Sequence, residues 1–380
     1  MPAGTIVAFG NFDLEGARSW VIRTGLSGAG YTVALCRTEV PGFFGKYRDL
    51  MRRWNSATQA SQSPVAAIYV VFLGHYLMPL AWWLGKKSKI PVIFDAFLSL
   101  HDTEVFDRRR VSRFSPKAWL LWFTDWLGCA LADVVLLDTE EHKDYFVKTY
   151  GVDPAKILVL PVGCRSDLFI QGGGHTARQP QAGMPALSQK NDGLFHVEFH
   201  GTYIPLQGTD IILIAARELQ KRGENIQFTL IGTQMEQALM PRANEWGLTN
   251  IRFHRSVTID KLPQFIHDAD VCLGIFGTTK KADRVIPNKA YEVISCGKPL
   301  ITGNTTAARR VLRNKEQVLF CGCGEAGELA DAIMQLKNDA ALRQTIADGG
   351  LALSQSQFTP AKIVEPLVVW LSSRLVKTTR

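Results

Sequence analysis

The sequence predicts an α/β protein built from two doubly wound parallel sheets. Three observations lead there. Short runs rich in Val, Ile, Leu and Phe alternate with longer amphipathic stretches, as strands and helices do in parallel sheets. The alternation stops at a segment poor in large apolar residues, Gln171 to Gly193, and then restarts. A chain of 380 residues is long for one hydrophobic core and natural for two.

In the first half the expected strands are 5–9, 32–35, 68–72, 91–94, 134–137 and 157–160, with helices such as 17–27 and 117–132 between them. The Gly, Gln, Pro and Ser content of 171–193 is linker composition. The second half offers strands 197–199, 227–231, 251–253, 271–275, 299–301 and 318–320 and helices such as 209–221 and 328–336. The expected division is therefore a first domain over 1–170, a linker over 171–193 and a second domain over 194–357. An apolar terminal helix, 360–375 within the segment 358–380, is expected to pack back on the first domain. Two such domains would set their strand C-termini across a cleft, where ligands of these sheets bind.

Composition narrows the class. With 46% hydrophobic and 21% charged residues the chain is an ordinary globular protein. Its seven cysteines are scattered, none at a convincing zinc spacing, and Cys321-Gly-Cys323 has no second pair nearby. They read as reduced thiols of a cytoplasmic protein, with no metal site and no cofactor. No secretory signal is evident before the first strand. Residues 65–85 carry no formal charge and are long enough to span a bilayer. A buried strand over 68–72, a break at Gly74-His75 and a helix over 78–84 explain the same stretch without a membrane span. The net charge of +8 is concentrated at Lys46, Arg48, Arg52 and Arg53 and at Arg108, Arg109, Arg110, Arg113 and Lys117. Such clusters suit phosphate-bearing partners or an anionic membrane surface, and no nucleic-acid motif accompanies them.

The most informative stretch runs from Arg284 to Ile301 and reads as loop, helix start, Gly-ended turn and buried strand. It places Lys289 and Glu292 near a helix N-terminus, on one face, where an anion is favoured. A cation beside a carboxylate suits a ligand with phosphates and hydroxyls, such as a nucleotide-sugar. Gly201, Thr202, Gln207 and Gly208 follow the first strand of the second half, where a phosphate cradle and a plain tight turn are both open readings. Gly232 after the next strand, and Gly277 with Thr278 after 271–275, are further candidates for base or sugar contact. In the first half, Gly10, Asn11 and Gly16 form either a ligand-facing loop or a connector. Polar residues from Asp95 to Glu104 surround His101, which would orient a hydroxyl or exchange a proton unless the segment is only a capped surface loop. Asp138 and Thr139 read first as a helix cap.

Taken together, these residues resemble the GT-B glycosyltransferases of family 4, the group 1 transferases. The likeness is strongest at Ala132-Asp-Val-Val-Leu-Leu-Asp-Thr139, Ile157-Leu-Val-Leu-Pro-Val-Gly163, His200-Gly-Thr202 with Gln207-Gly-Thr-Asp210, and Pro287-Asn-Lys-Ala-Tyr-Glu292 with Gly297-Lys-Pro-Leu-Ile301. The resemblance implies two Rossmann-like domains, a nucleotide-sugar donor held mainly by the second, a glycan or lipid-linked acceptor held mainly by the first, retention of configuration and no metal. It implies that Glu292, the second glutamate of an E-x7-E motif, meets the donor ribose and that Lys289 lies near the diphosphate. His101 falls about where the family keeps a histidine near the reacting sugar. The chain departs from the pattern at Arg284, where the first glutamate belongs, and at Thr202 and Gln207, where cations are usual. Arg284 and Lys289 are the expected replacements, since leaving-group charge must be stabilised. A nucleotide-sugar epimerase of the same fold and a non-catalytic sugar-nucleotide-binding subunit are the rival readings.

Two aromatic stretches bear on the acceptor. Phe43, Phe44, Tyr47, Leu50, Met51 and Trp54 fall near helical spacing among basic residues, which suits a membrane surface. Trp119, Trp122 and Trp126 repeat on a second helix and are expected to pack in the core. The localisation that follows is cytoplasmic, peripheral at the inner face of the membrane.

Overall fold

A computed structural model describes residues 4–59, 63–172 and 193–378. Most of the expected linker, 173–192, lies outside the described residues. The chain forms two compact units, Met1–Gly163 with Thr359–Arg380, and Cys164–Phe358. The first division thus falls upstream of the expected position 170. The reason is local: the Cys164 thiol donates to Ser295 Oγ at 3.2 Å, tying the segment after Gly163 to the second unit.

The first unit holds strands β1 (Thr5–Gly10), β2 (Thr32–Arg37), β3 (Val65–Val70), β4 (Val92–Phe97), β5 (Val134–Leu137) and β6 (Ile157–Val159). They form one parallel sheet in the order β2-β1-β3-β4-β5-β6. β1 and β5 are buried along their whole length, as strands covered on both faces must be. Helices Phe43–Gln59, Met78–Ser88, Pro116–Leu131 and Glu140–Tyr150 share one core with the sheet through Leu50, Trp54, Leu84, Cys129 and Phe146. Helix Pro360–Thr378 returns to this unit and packs on helix Ala17–Gly28, burying Ile363, Val364, Leu367 and Leu371. The uncharged stretch 65–85 is strand β3 followed by helix Met78–Ser88. Among the described residues no helix is long and apolar enough to cross a membrane.

The second unit holds β7 (Phe195–His200), β8 (Ile226–Ile231), β9 (Ile251–His254), β10 (Val271–Leu273), β11 (Leu300–Gly303) and β12 (Leu319–Cys321). The order is β12-β11-β10-β7-β8-β9, again with every pairing parallel. Its core brings Phe199, Phe228 and Leu230 from the strands against Ile212, Leu219, Leu329 and Ile333 from helices Thr209–Lys221 and Ala326–Asn338.

Two expectations need correction here. Asp95 does not belong to a polar loop, because β4 continues to Phe97. Its carboxylate is fully buried and receives Arg18 at 2.7–3.0 Å and the Tyr69 hydroxyl at 3.0 Å. Arg18 also donates to the Leu160 carbonyl at 2.9 Å, so β1's following helix, β3, β4 and the end of β6 meet in one network. The second correction concerns helix Pro116–Leu131. Trp122 is partly buried against the core, but Trp119 is 68% exposed and Trp126 37% exposed.

A buried ion pair broken on one side leaves an uncompensated charge. Arg18→Ala is therefore expected to lower the unfolding free energy by about 3 kcal/mol, read as a lower urea midpoint. An unchanged midpoint contradicts the role given to this network.

Candidate functional site

In an open parallel sheet the place to look is where strand order reverses, outside the strand C-termini. In the second unit the chain moves from β7 outward through β8 and β9, then crosses to β10 on the other side of β7. The reversal lies between β7 and β10. The loops that leave these two strands are joined by their backbones: Phe276 N–H donates to the Gln207 carbonyl at 3.0 Å and Gly277 N–H to the Leu206 carbonyl at 3.2 Å. Helix Asn288–Ser295 follows, entered from Pro287 and closed by Gly297.

This helix delivers Lys289 and Glu292 to the end of β7, both buried. The Lys289 ammonium donates to Gln207 Oε1 and sits 3.6 Å from the centroid of the Phe199 ring. Among the described residues it meets no carboxylate within ion-pair distance. Burial pushes its pKa down to about 7, against the pull of Glu198 and Glu292. Glu292 Oε2 lies 2.9 Å from His200 Nε2, and His200 Nδ1 lies 2.9 Å from Glu198 Oε1. Burial works against charge on His200 too, but Glu198 and then Glu292 outweigh it and hold the imidazolium pKa up at about 9. The histidinium between two carboxylates thus fixes the Glu292 side chain.

The backbone of the site is closely built. A Cβ on Gly201 would stand 2.8 Å from Lys289 Nζ, and one on Gly232 would stand 1.7 Å from the Gly201 carbonyl oxygen. The loops after β7 and β8 therefore touch main chain to main chain, which only glycine permits. Beyond Gly232 opens a cavity of about 790 Å³, lined among others by Thr233, Gln237, Met240, Asn244 and Arg255. That volume lies in the range of small-molecule sites. Gly232 is the residue shared by the glycine-built backbone beside Lys289 and the lining of the cavity.

Of the residues expected to bind a donor, the structure brings Gly201, Gln207, Gly232, Lys289 and Glu292 together. Gly277 is buried in the loop bonded to Leu206, and Thr278 is exposed just beyond it. Thr202 is exposed. Arg284 sits half-buried in the short turn Ala282–Arg284 before the Lys289 helix.

The remaining candidates belong to the first unit. Gly10 ends β1, and Gly16 precedes helix Ala17–Gly28. Between them Asn11, with its amide oriented to satisfy both neighbours, donates to the Thr38 carbonyl at 3.0 Å and accepts from Lys46 Nζ at 3.1 Å. His101 opens the turn Asp102–Asp107, half-buried, with its ring edge-on to Phe106 at 5.3 Å between centroids. Among the described residues its Nδ1 has no hydrogen-bond partner, and burial lowers its pKa against Asp125 and Asp102, which favours the neutral imidazole. Thr139 caps helix Glu140–Tyr150 by accepting from His142 N–H at 3.1 Å, as its position before the acidic pair suggests.

Sequence reasoning missed three groups. Glu198 and His200 alternate on β7, so period two puts both on one face toward Glu292, a signal present in Glu-Phe-His. Asp125 was hidden inside an apolar helix. It is fully buried and accepts from Ser99 Oγ at 2.7 Å, Tyr150 OH at 2.9 Å, and the N–H groups of Leu100 and His101 at 3.1 and 3.0 Å. It is the anchor that holds the His101 turn.

Comparison with known proteins agrees with this architecture. Residues 10–163 match the family described as glycosyl transferase 4-like domain, and residues 195–339 the family described as glycosyl transferases group 1. D-inositol 3-phosphate glycosyltransferase of Streptomyces bingchenggensis is 23% identical over 57% of this chain and 48% of its own length. The corresponding protein of Stackebrandtia nassauensis is 20% identical over 78% of this chain and 67% of its own. The chain spans about half the length of the first curated relatives it matches. Among solved structures, Anabaena HepE in complex with UDP superposes with a TM-score of 0.70 at 16% identity, covering 97% of this chain and 100% of that one. Sucrose-phosphate synthase from Thermosynechococcus elongatus gives 0.69 at 14% identity, with 99% of each chain covered. These likenesses show the GT-B fold, and with the two family matches over most of its length the chain belongs to the group 1, family 4 glycosyl transferases.

Proposed function

We propose that this chain is a glycosyltransferase that moves a hexose-type sugar from a nucleoside diphosphate to a glycan or lipid-linked acceptor, with retention of configuration and without a metal. The observation that carries the reading is the Lys289 amine, buried at the strand-order reversal on a neutral amide and an aromatic ring, with no carboxylate within ion-pair distance among the described residues. A diphosphate would supply the direct ion pair that Glu198 and Glu292 do not reach to make, and the glycine backbone beside it lets phosphate oxygens approach. In this reading the base and ribose occupy the cavity beyond Gly232, and Glu292, held by His200, accepts from a ribose hydroxyl. Lys289, with Arg284, stabilises the diphosphate as it leaves. His101 is the candidate for contact with the reacting sugar. HepE has been crystallised with UDP and UDP-glucose, which makes a uridine donor the first to try.

A thermal-shift screen of UDP-, GDP- and ADP-hexoses tests the reading, since a ligand of the folded state raises its melting temperature. One nucleotide class is expected to stabilise the protein and to release nucleoside diphosphate on turnover; no shift with any of them contradicts the proposal. Lys289→Ala is expected to lower kcat/KM by about 100-fold, the scale of one lost charge-stabilising donor.

The lowered Lys289 pKa adds a pH signature. Free protein at about pH 8 carries Lys289 mostly neutral, whereas a bound diphosphate favours the ammonium, so binding takes up protons. At about pH 6 the ammonium is already present and uptake vanishes. Calorimetric titration of nucleoside diphosphate in buffers of different ionisation enthalpy reads this directly. Equal proton uptake at both pH values, or uptake retained in Lys289→Ala, removes Lys289 from the diphosphate site.

A further inference from the structure

We propose that the outer face of helices Met78–Ser88 and Pro116–Leu131 is a docking surface for an anionic lipid bilayer. The two helices lie side by side on the first unit's sheet. Each buries one apolar face: Leu80, Ala81 and Leu84 on the first, Leu121 and Cys129 on the second. Each then presents a second apolar face outward. Trp82 and Trp83 are exposed on one; Trp119, Leu120, Phe123 and Trp126 are exposed on the other, at i, i+1, i+4 and i+7, which share one side of a helix. At 150–250 Å² per large side chain, these partial exposures sum to on the order of 600 Å² of apolar surface over two neighbouring helices.

The charges around the stripe decide what covers it. Lys86 and Lys87 are exposed on the first helix, and Lys117 on the second. Arg109, Arg110 and Arg113 are exposed in the segment that leads into the second helix, with Arg113 over the ring of Phe114, itself 77% exposed. Val105 and Val111 of that segment pack on Ala118 and Leu121, so these arginines are held beside the stripe. Neither helix exposes a carboxylate: the one acid in either, Asp125, is fully buried. A second copy of the same face would oppose like charges, which disfavours self-association. Tryptophan with lysine and arginine at its rim is the composition of a membrane–water interface, where the indoles enter the headgroup region and the cations meet anionic lipid. Helix Phe43–Gln59 exposes Phe43, Phe44 and Met51 but turns Leu50 and Trp54 into the core, so it contributes a smaller apolar area than the sequence suggests.

Vesicle binding needs no nucleotide, so this inference and the donor-site reading stand or fall separately. The test is co-sedimentation of the full chain with phosphatidylcholine vesicles with and without phosphatidylglycerol. Binding is expected only to the anionic vesicles and weaker in about 0.5 M salt, where the Debye length shrinks. Trp119→Ala/Phe123→Ala, at exposed positions, is expected to keep the wild-type circular dichroism and to weaken partitioning at least about tenfold. Brominated acyl chains are expected to quench the tryptophan fluorescence of wild type. No sedimentation, or binding that survives in this double variant but is abolished in Phe43→Ala/Phe44→Ala, overturns the assignment. So does a dimer in light scattering that the Trp119→Ala/Phe123→Ala variant converts to monomer.

Discussion

A buried lysine amine that meets no carboxylate within ion-pair distance among the described residues is the constraint around which the second unit is arranged. Taking Lys289 out of water costs several kcal/mol, and a cation-π contact with one amide acceptor returns only part of it. The position persists because the rest of the fold over-determines it. The Asn288–Ser295 helix packs on β11 and on helix Ala340–Gln357, and the backbone of Gln207, the acceptor of the Lys289 amine, is bonded to the loop after β10. Next to it, Glu198, His200 and Glu292 form a line in which one histidinium stands between two carboxylates, so the local charge is organised before any ligand arrives. Preorganisation of this kind is what a site for a developing phosphate charge requires.

The parts of this arrangement that follow from local chemistry were legible in the sequence. All twelve expected strands occur, because strands of a parallel sheet are short apolar runs that stand out against amphipathic helices, even at the more exposed edges β2 and β9. Lys289, Glu292, Gly201, Gln207 and Gly232 could be singled out because loops after strand C-termini are where such folds keep their ligands. What sequence could not show is which distant side chains complete the cluster. Glu198 and His200 lie in a strand that reads as core, and the cluster they form is completed by Glu292, which is 92 residues from His200. Arg18 and Asp95 are 77 residues apart, and the end of β4 at Phe97 is set by pairing with β5 rather than by composition.

The first unit shows a second kind of limit. Helix Pro116–Leu131 is apolar around most of its circumference, so periodicity does not say which stripe faces inward. The buried carboxylate of Asp125 resolves it after the fact: the side bearing Asp125 and Cys129 faces the sheet, and the tryptophans at 119 and 126 turn outward. The same carboxylate, bonded to Ser99, Tyr150 and the backbone at His101, makes the outward face and the His101 turn two consequences of one anchored helix.

The central claim is that Lys289 and Glu292 grip a nucleoside diphosphate at the reversal between β7 and β10. A crystal structure of the protein soaked with UDP, or with the nucleoside diphosphate that stabilises it most, tests this most directly. The account requires diphosphate oxygens within hydrogen-bond distance of Lys289 Nζ and the Gly201 backbone, and a ribose hydroxyl on the Glu292 carboxylate. Nucleotide bound elsewhere on the chain, with Lys289 still closed onto Gln207, contradicts it.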